Sequence, residues 1–475
     1  MSSKKYKMLI HNEWIDSSES ISVLNPFNQT EIGNVAVADK AILNQAIESA
    51  QNGFDNVKQM PAHLRSGILE RTSVLLDNHK EEFAGIIAAE AGKAWKYAVG
   101  EVTRAVQTFK FAAEEAKRIH GETVPLDAAI GAENRMGFYL RQPIGIIGAI
   151  TPFNFPLNLV AHKVAPAIAA GNSVVLKPAS YTPLTALRLG ELMLEAGLPA
   201  GALNIVIGGG STVGNWLVED ERLAMITFTG SPVVGRHIKS KAGLKRVTLE
   251  LGSNSAVILD ETANLDAALP RCSLGGFANS GQVCIHVQRI YVHEKIARPF
   301  IDQFVAATQQ LVVGNPQEKN CDVGPMIALS EAKRAEDWVK EAVSQGAKIL
   351  CGGTRDGALF QPTVLTNVSE DMRVMRDEIF APVVTISPFK TVDEAITRVD
   401  NSKYGLQAGI YTQDVNHAFK AIKGINVGGV MVNDVPTFRA DHMPYGGNKE
   451  SGIGREGLKF AIEEMTNIKM VVFNL

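Results

Sequence analysis

The sequence predicts an α/β protein with two parallel sheets and an extended β-arm, and three observations carry that prediction. Short apolar runs rich in β-branched residues alternate with helical stretches after residue 141. A second series of the same kind begins after residue 250. Alternating segments flanked by turn residues occur at 120–140 and at the C-terminus. Strands that alternate with helices are typical of parallel sheets covered on both faces, and the alternating segments indicate extended strands outside them.

The elements follow in order along the chain. The part before residue 120 is predicted to be mainly helical, because apolar residues recur at helical spacing in "SGILERTSVLLDNHKEEFAGIIAAEAGK" and "AVGEVTRAVQTFKFAAEEAKRIHGE". The first strand series comprises "IGIIGAI", "NSVVLKP", "LNIVIG", "AMITFTG" and "RVTLEL". The second comprises "QRIYVHE", "AKILCGG", "PVVTISPF", "QAGIYTQD" and "GGVMVNDV". The final run, "MTNIKMVVFNL", is predicted to be a strand that pairs with the 120–140 hairpin or with another subunit.

Composition restricts the class of protein. The 475 residues are 45% apolar and 20% charged, as in globular enzymes, and a net charge of −3 gives no reason to expect nucleic acid or an anionic membrane as a partner. No stretch approaches the roughly 18 apolar residues of a membrane helix. The N-terminus "MSSKKYKMLIHNEW" is basic without an apolar core. We therefore expect a cytoplasmic protein.

The number and spacing of the cysteines and histidines argue against disulfide bonds and against a metal-binding site. The four cysteines form no C-x-x-C pair and are too sparse for a disulfide framework; they are Cys272, Cys284, Cys321 and Cys351. The ten histidines show no close pairing. The sequence therefore predicts no metal site.

Glycine-containing turns in the first strand series suggest a dinucleotide. "VIGGGSTVG" follows a strand and places Gly210 and Gly214 before a helix, although its spacing is not G-x-G-x-x-G. "FTGSPVVG" repeats the arrangement and places Gly230 and Ser231 at a helix N-terminus, where backbone N–H groups suit a phosphate. Lys177 ends a strand, where ligands bind in open α/β sheets. The alternative is that these glycines only relieve backbone strain in the turns.

The segment "NSGQVCIHVQR" raises the question of a nucleophile at Cys284. A lone cysteine is more often inert than reactive, but three other segments favour a reactive one. "TPFNFP" holds the amide of Asn154 stiffly as an oxyanion donor. "VTLELGSNSA" places Glu250 at the end of an apolar strand, either as a satisfied core acid or as a base with a raised pKa. "RDEIFAPV" sets Glu378 and Phe380 in a loop before another strand.

Together these segments, in this order, resemble the aldehyde dehydrogenase superfamily. The resemblance runs from "NPFNQTEIGNVAVAD" to "PYGGNKESGIGREG", which is nearly the whole chain. It implies a Rossmann-like NAD(P)-binding domain at 1–119 and 141–249 and a catalytic α/β domain at 250–440. It also implies an oligomerisation arm at 120–140 and 455–475 that serves in homodimers or homotetramers.

The resemblance assigns roles to the chemical residues. Cys284 is similar to the family's nucleophile, and Asn154 to its oxyanion donor, together with the backbone N–H of Cys284. Glu250 is similar to the base that activates the cysteine and later the water. Glu378 resembles the acid that binds the nicotinamide ribose, and Phe380 resembles the ring beside it.

Further positions resemble the family's cofactor site. Lys177 is similar to the lysine on the adenosine ribose, and Gly230 and Ser231 lie where the pyrophosphate and nicotinamide are held. Ser180 stands where many NAD-preferring members have a glutamate that would repel a 2′-phosphate, so we expect NAD or NADP, with NADP tolerated. The family often has Trp and a second Gly where this chain has Phe153 and Ser253, and Ser253 could alter the mobility of the base.

Three basic residues are the candidates for substrate binding. Arg104 and Arg439 correspond to arginines with which non-phosphorylating glyceraldehyde-3-phosphate dehydrogenases hold an anionic tail, and His162 resembles a pocket histidine of phosphonoacetaldehyde dehydrogenases. The resemblance is strongest to the lactaldehyde dehydrogenase-like branch. It implies a short 2-hydroxy aldehyde with a phosphate, sulfonate or carboxylate, such as 3-sulfolactaldehyde, glyceraldehyde 3-phosphate or lactaldehyde, since arginine binds such groups bidentately. Succinic semialdehyde is an alternative, and each arginine could instead form a structural ion pair.

Rival functions differ in the partner of Cys284. A CoA-acylating dehydrogenase would usually lack the base Glu250. A cofactor-free cysteine acyltransferase or amidase would need a histidine, and His286 would share a strand face with Cys284. A silent paralogue would have no need of Cys284, Asn154 and Glu250 together. Arg289 is predicted to anchor the following strand.

Overall fold

The computed structural model describes residues 4–475. Residues 1–3, the start of the basic N-terminal segment, lie outside the described range. Within it, the helices are α1 (Lys40–Val57), α2 (Ala62–Asn78), α3 (Lys80–Ala91), α4 (Trp95–Ala116), α5 (Asn158–Ala170), α6 (Leu184–Glu195), α7 (Asn215–Glu219), α8 (Pro232–Lys241), α9 (Leu265–Phe277), α10 (Glu294–Gln309), α11 (Leu329–Ser344), α12 (Arg373–Arg376), α13 (Val392–Asp400), α14 (Val415–Gly424) and α15 (Leu458–Glu464). Short 3-10 turns lie at Leu126–Ala128 and Ala278–Gly281, and a π turn lies at Gly210–Gly214.

The strands are β1 (Lys5–Tyr6), β2 (Met8–Ile10), β3 (Glu13–Ile15), β4 (Ser20–Leu24), β5 (Glu31–Ala36), β6 (Thr123–Val124), β7 (Arg135–Pro143), β8 (Ile146–Ile150), β9 (Ser173–Lys177), β10 (Leu203–Ile205), β11 (Leu223–Thr229), β12 (Arg246–Glu250), β13 (Ala256–Leu259), β14 (Arg289–His293), β15 (Lys348–Cys351), β16 (Arg355–Asp356), β17 (Leu359–Phe360), β18 (Thr363–Thr366), β19 (Val383–Phe389), β20 (Tyr404–Gly405), β21 (Gln407–Tyr411), β22 (Gly429–Val432), β23 (Asn448–Lys449), β24 (Gly452–Ile453) and β25 (Thr466–Asn474).

Two large sheets form the body of the molecule. The first has the order β24-β12-β11-β8-β9-β10-β2-β3, and β12, β11, β8, β9 and β10 are parallel. The second has the order β15-β18-β19-β14-β13-β21-β22, in which every neighbouring pair except β15–β18 is parallel. The prediction of two parallel sheets is confirmed. The chain passes from one sheet to the other between β12 and β13, while the domain boundaries we propose from the resemblance stay a prediction.

The extended arm is a three-stranded antiparallel sheet of order β25-β7-β6. The C-terminal strand β25 pairs with β7 over nine residue pairs, from Thr466 opposite Pro143 to Asn474 opposite Arg135. Of the two pairings we expected, this chain therefore forms the one with its own hairpin, which extends beyond residue 140.

The N-terminal region differs from the expectation. Helices do fill residues 40–116, but residues 5–36 form five strands, and β2 and β3 extend the first large sheet. The hairpin between β2 and β3 turns at His11 and Asn12, which have φ of 53° and 61°. Two successive residues with positive φ are typical of a type I′ turn, in which asparagine is favoured. Asn12 was therefore a signal for this hairpin, and the prediction of a mainly helical N-terminal part overlooked it.

Packing on both faces fixes the sheets. Helix α5 is buried along its whole length beneath the first sheet, which suits its apolar sequence "NLVAHKVAPAIAA". Beside the second sheet, Phe277, Phe304 and Phe300 form a stack of rings with centroids 5.5–5.9 Å apart. Among residues 4–475, no helix combines the length and apolar character needed to cross a membrane.

Candidate active site

A cavity of about 310 Å³ opens beside the carboxyl ends of the first sheet's strands. Seven residues predicted from the sequence line it: Asn154, Gly230, Ser231, Glu250, Cys284, Glu378 and Phe380. They come from five separate segments of the chain. The structure therefore brings together the predicted chemical residues and part of the predicted cofactor site.

The backbone before Cys284 is held rigidly rather than loosely. Asn279, Ser280 and Gly281 have φ of 52°, 56° and 66°, a left-handed turn after α9. A Cβ on Gly281 would lie 2.0 Å from the carbonyl oxygen of Ala381, so only glycine fits there. The hydroxyl of Ser280 donates to Gly324 O at 2.7 Å. Backbone strain and hydrogen bonds therefore fix the turn that precedes Cys284.

Cys284 has a partner that the sequence did not reveal. Its sulfur lies 3.0 Å from the hydroxyl of Tyr445, and the guanidinium of Arg439 lies 3.7 Å over the Tyr445 ring. Burial raises the pKa of the Cys284 thiol to about 11, although the Tyr445 hydrogen bond and the charge of Arg439 oppose that rise. The thiol is therefore protonated in the resting protein and needs a base to become a nucleophile.

Asn154 is buried next to the cysteine segment. Its side-chain amide donates to Gln282 O at 2.9 Å, and Asn279 donates to the backbone carbonyl of Asn154 at 3.1 Å. These bonds tie the loop after β8 to the turn that carries Cys284. An amide nitrogen has a second N–H, so Asn154 retains a donor for an oxygen formed above the sulfur.

Glu250 ends β12 as a buried acid without a partner. It is 3% exposed, and neither carboxyl oxygen has a hydrogen-bond partner among the described residues. Burial and the charge of Glu456 raise its pKa well above the usual range. A Cβ on Gly446 would lie 2.9 Å from one of its oxygens, so a glycine keeps the space beside it. Of the two roles open for Glu250, the unpaired acid fits a base better than a satisfied core residue.

The acid on the opposite wall is held by the backbone. Glu378 accepts a hydrogen bond from the N–H of Ser253 at 3.0 Å, and a Cβ on Gly252 would lie 2.0 Å from its carboxyl oxygen. Burial raises its pKa to about 7. Ser253 thus contacts Glu378 rather than the base Glu250, contrary to the effect that we considered for it. Phe380 has φ of 48° and stacks edge-to-face on Phe153, with ring centroids 6.0 Å apart.

The remaining predicted cofactor residues lie along the same sheet edge. Lys177 ends β9, and burial lowers its pKa to about 8; its ammonium donates to Pro178 O at 3.1 Å. Gly214 lies against it, since a Cβ there would be 3.5 Å from the lysine Cε. Ser180 donates to Gly208 O at 3.0 Å.

Two glycine turns frame that edge. Gly210 begins the π turn, and a Cβ there would meet open space. Ser231 caps α8 by accepting from the N–H of Val234, and Gly230 donates to Glu250 O at 3.0 Å. A capped helix N-terminus, an open glycine turn and a buried lysine fit the phosphate and ribose groups of a dinucleotide.

The three predicted substrate residues meet at one acid. Asp441 accepts two hydrogen bonds from Arg104, at 2.6 and 3.2 Å, and lies 2.8 Å from His162 Nε2. Arg439 lies 3.2 Å from the same histidine nitrogen and donates to Glu456 at 3.1 Å. The cluster adjoins Cys284 through Tyr445. Both arginines thus form ion pairs, one of the two readings open from the sequence.

Several functional candidates escaped sequence reasoning. Tyr445, Asp441 and Glu456 all lie in the C-terminal segment, whose motif "PYGGNKESGIGREG" served only as an end point of the resemblance. Tyr445 and Glu456 pair through backbone hydrogen bonds in both directions. Lys163 on α5 donates to Glu456 at 3.0 Å and is fully buried. The spacing of polar residues around "HMPYGG" was the available signal.

Other predictions have definite outcomes. His286 Nε2 donates to Gly276 O at 2.9 Å, does not lie on a strand, and makes no hydrogen bond to Cys284. The cysteine–histidine dyad of a cofactor-free acyltransferase is therefore not favoured. Arg289 is 3% exposed and donates to Asn254 O at 2.8 Å, which confirms that it anchors β14.

Comparison with known proteins supports the same conclusion as the geometry. The model of the aldehyde dehydrogenase family matches residues 14–471. A 3-sulfolactaldehyde dehydrogenase of Priestia aryabhattai is 51% identical over 472 residues, which is 99% of this chain and 98% of the relative.

Two solved structures are close in shape. Aldehyde dehydrogenase 21 from Physcomitrella patens, in complex with succinate, has a TM-score of 0.98 and 43% identity, and the match covers 100% of this chain and 99% of that one. The glyceraldehyde-3-phosphate dehydrogenase GapN from Methanocaldococcus jannaschii, complexed with NADP, has a TM-score of 0.93 and 41% identity over 97% of this chain and 100% of that one. The predicted fold is thereby confirmed. The chain belongs to the aldehyde dehydrogenase family and is an NAD(P)-dependent enzyme that oxidises aldehydes.

Proposed function

We propose that the enzyme oxidises a short 2-hydroxy aldehyde with an anionic tail to the carboxylic acid. Arg439 carries the proposal. Its side chain is 6% exposed, and its Nε has no hydrogen-bond partner among residues 4–475. A buried guanidinium N–H without an acceptor is costly, so a ligand oxygen is its natural partner. Because Arg439 stacks on Tyr445 beside Cys284, a tail held there belongs to a short substrate.

The relatives support this substrate class. The 3-sulfolactaldehyde dehydrogenase and GapN act, by their names, on three-carbon aldehydes that carry a sulfonate or a phosphate. 3-Sulfolactaldehyde is our first candidate, followed by glyceraldehyde 3-phosphate and lactaldehyde. Succinic semialdehyde stays in the test panel, since the Physcomitrella structure holds succinate.

The catalytic roles follow from the chemistry of the site. Glu250 takes the proton of the Cys284 thiol, and the thiolate forms a C–S bond to the aldehyde carbon. The oxygen that becomes negative is stabilised by the Asn154 amide and the backbone N–H of Cys284, and losing one such donor typically costs about 10²–10³ in rate. A bound NAD or NADP supplies the hydride acceptor. Glu250 then removes a proton from the water that hydrolyses the thioester.

Glu250 acts as a base twice, first toward the Cys284 thiol and then toward water, and its pKa suits both steps. Its raised pKa makes it a stronger base than an exposed glutamate once it is deprotonated. A CoA-acylating enzyme has no need of such a base, so Glu250 supports hydrolysis. We infer that Glu378, whose carboxyl group lies against Gly252, binds the nicotinamide ribose and that Phe380 lies beside the ring.

The cofactor preference is a separate proposal. Ser180 stands where an acid would repel the 2′-phosphate of NADP, and Lys177 lies on the same sheet edge. NADP should therefore be accepted, and turnover with NADP and with NAD measures the preference. The GapN relative was solved with NADP, which supports the proposal. Strict dependence on NAD would overturn it.

Assembly and location are also proposed. The arm strands carry exposed apolar side chains, among them Ile468 at 60% and Val472 at 49% exposure. Such a surface supports burial against a second copy, as a homodimer or homotetramer, which light scattering would measure. All four cysteines are free, which supports a reducing compartment such as the cytoplasm.

A panel of short aldehydes, followed by NAD(P)H absorbance, tests the proposed function. The expected order of kcat/KM places anionic 2-hydroxy aldehydes above lactaldehyde and above unbranched alkyl aldehydes. Arg439→Met should raise KM for the anionic members more than for lactaldehyde. An equal effect on charged and neutral aldehydes would contradict a role in binding the tail.

A further inference from the structure

Asp441 is a buried acid in the middle of the basic substrate cluster. Its side chain is 5% exposed, and Arg104 binds both of its oxygens. Oδ1 also accepts from the amide of Asn158 at 3.0 Å and lies 2.8 Å from His162. The acid is thus held between Arg104, Asn158 and His162, and it makes no hydrogen bond to Cys284 or Glu250 within residues 4–475.

The charges in direct contact with this cluster do not cancel. Arg104, Lys163 and Arg439 are positive, whereas Asp441 and Glu456 are negative. Burial and the charge of Arg439 lower the pKa of His162, so the ring is neutral at pH 7. The His162 hydrogen bond and the charge of Arg104 outweigh burial and lower the pKa of Asp441, which stays ionised. Three cations and two anions leave one positive charge in excess.

Neighbouring groups do not change this balance. Lys93 and Glu101, behind Phe155, form a fully buried ion pair of their own. Burial raises the pKa of Glu250, and neither of its carboxyl oxygens is hydrogen-bonded to a residue of the cluster. The excess of one positive charge is therefore a property of the cluster itself.

We propose that Asp441 selects the substrate by the charge of its tail, favouring a singly charged sulfonate or carboxylate over a doubly charged phosphate. One negative charge neutralises the cluster, whereas a second remains unpaired in a largely buried site, which is costly. A phosphate monoester has a second pKa of about 6 and is mostly dianionic above pH 7, whereas a sulfonate carries one charge. The inference rests on the proposed function, in which Arg104 and Arg439 hold the tail.

The first test compares 3-sulfolactaldehyde with glyceraldehyde 3-phosphate at pH 8. Wild-type enzyme should have the higher kcat/KM for the sulfonate. Asp441→Asn removes one negative charge with little change of shape, and we expect the ratio of phosphate to sulfonate kcat/KM to rise about tenfold or more. Each value is referred to lactaldehyde, the neutral aldehyde of the same length.

A matched control is available elsewhere in the chain. Asp434 receives a bidentate pair of hydrogen bonds from Arg271, at 2.7 and 3.1 Å, away from the cluster. Asp434→Asn breaks the same kind of ion pair and should leave the ratio of phosphate to sulfonate kcat/KM as in wild type. An unchanged ratio in Asp441→Asn, or an equal change in Asp434→Asn, would overturn the inference.

A second test needs no variant and holds even if Asp441→Asn fails to fold. As pH falls from 8 to 5.5, the phosphate gains its second proton, so wild-type kcat/KM for glyceraldehyde 3-phosphate should rise relative to that for 3-sulfolactaldehyde. A constant ratio, or a preference for the phosphate at pH 8, would overturn the inference and leave the proposed function intact. Oxidation of neutral aldehydes alone would overturn both.

Discussion

The hydroxyl of Tyr445 lies 3.0 Å from the sulfur of Cys284 and forms the nucleophile's one side-chain hydrogen bond within residues 4–475. The phenol is also covered by the guanidinium of Arg439. A hydrogen bond from the Tyr445 hydroxyl to the sulfur stabilises the thiolate more than the thiol. It therefore lowers the pKa of the thiol and opposes the effect of burial.

Tyr445→Phe should therefore raise the pKa of the Cys284 thiol above its value of about 11. The rate of alkylation by iodoacetamide rises with pH as thiolate forms, so the variant should react more slowly than wild type at pH 8 to 9. Tyr139→Phe, on the arm strand β7, is the control and should match wild type. Equal alkylation profiles in all three proteins would contradict a role for the Tyr445 hydroxyl.

Glu250→Gln should reduce turnover by about 10²–10⁴, the usual contribution of a general base. The pKa of Glu250 is raised, so wild-type kcat should increase with pH as this carboxyl loses its proton and level off above its pKa. The variant should lose that part of the pH profile. Steady-state kinetics from pH 5.5 to 9 measure both effects, and a variant with the wild-type profile would remove Glu250 from the mechanism.

Ser180→Glu should shift cofactor use toward NAD. A carboxylate at this position would repel the 2′-phosphate of NADP, so kcat/KM for NADP should fall by about tenfold or more while that for NAD changes less. Ser180→Ala, which loses the bond to Gly208 but adds no charge, is the matched control. If glutamate and alanine have the same effect, the phosphate does not lie near residue 180.

A stability prediction concerns the buried pair behind the catalytic loop. Glu101 pairs with Lys93 and accepts from the N–H groups of Leu157 and Asn158, at the start of α5. Glu101→Ala would leave Lys93 as an unpaired buried charge and should cost about 3–5 kcal/mol of unfolding free energy. Urea unfolding measures this loss, and Lys110→Ala, on the exposed side of α4, should stay within about 0.5 kcal/mol of wild type.

The sequence predicted the position of a functional side chain best where that residue ends a strand or begins a helix. Lys177 and Glu250 end predicted strands, and Ser231 caps a predicted helix, so their meeting at one sheet edge followed from the rules of parallel sheets. Cys284 and Asn154 could be linked only through the ordered motifs, because the hydrogen bond between their loops spans 128 residues.

What could not be predicted depends on long-range contacts. Tyr445 is 161 residues from Cys284, and Asp441 is 337 residues from Arg104, so no local periodicity pairs them. The rigid turn at Asn279–Gly281 was likewise invisible, since it packs against the backbone of Ala381 and Gly324, which lie far along the chain. The sequence indicated three basic substrate residues, and only the structure supplied the acid between them.

The most direct test of the central claim is oxidation of 3-sulfolactaldehyde with NAD and NADP by wild-type enzyme and by Cys284→Ala. Wild type should produce NAD(P)H and sulfolactate in equal amounts, with kcat/KM above that for lactaldehyde, and Cys284→Ala should be inactive although it is folded. Turnover that survives in Cys284→Ala, or a wild-type enzyme that oxidises lactaldehyde but no anionic aldehyde, would contradict the claim.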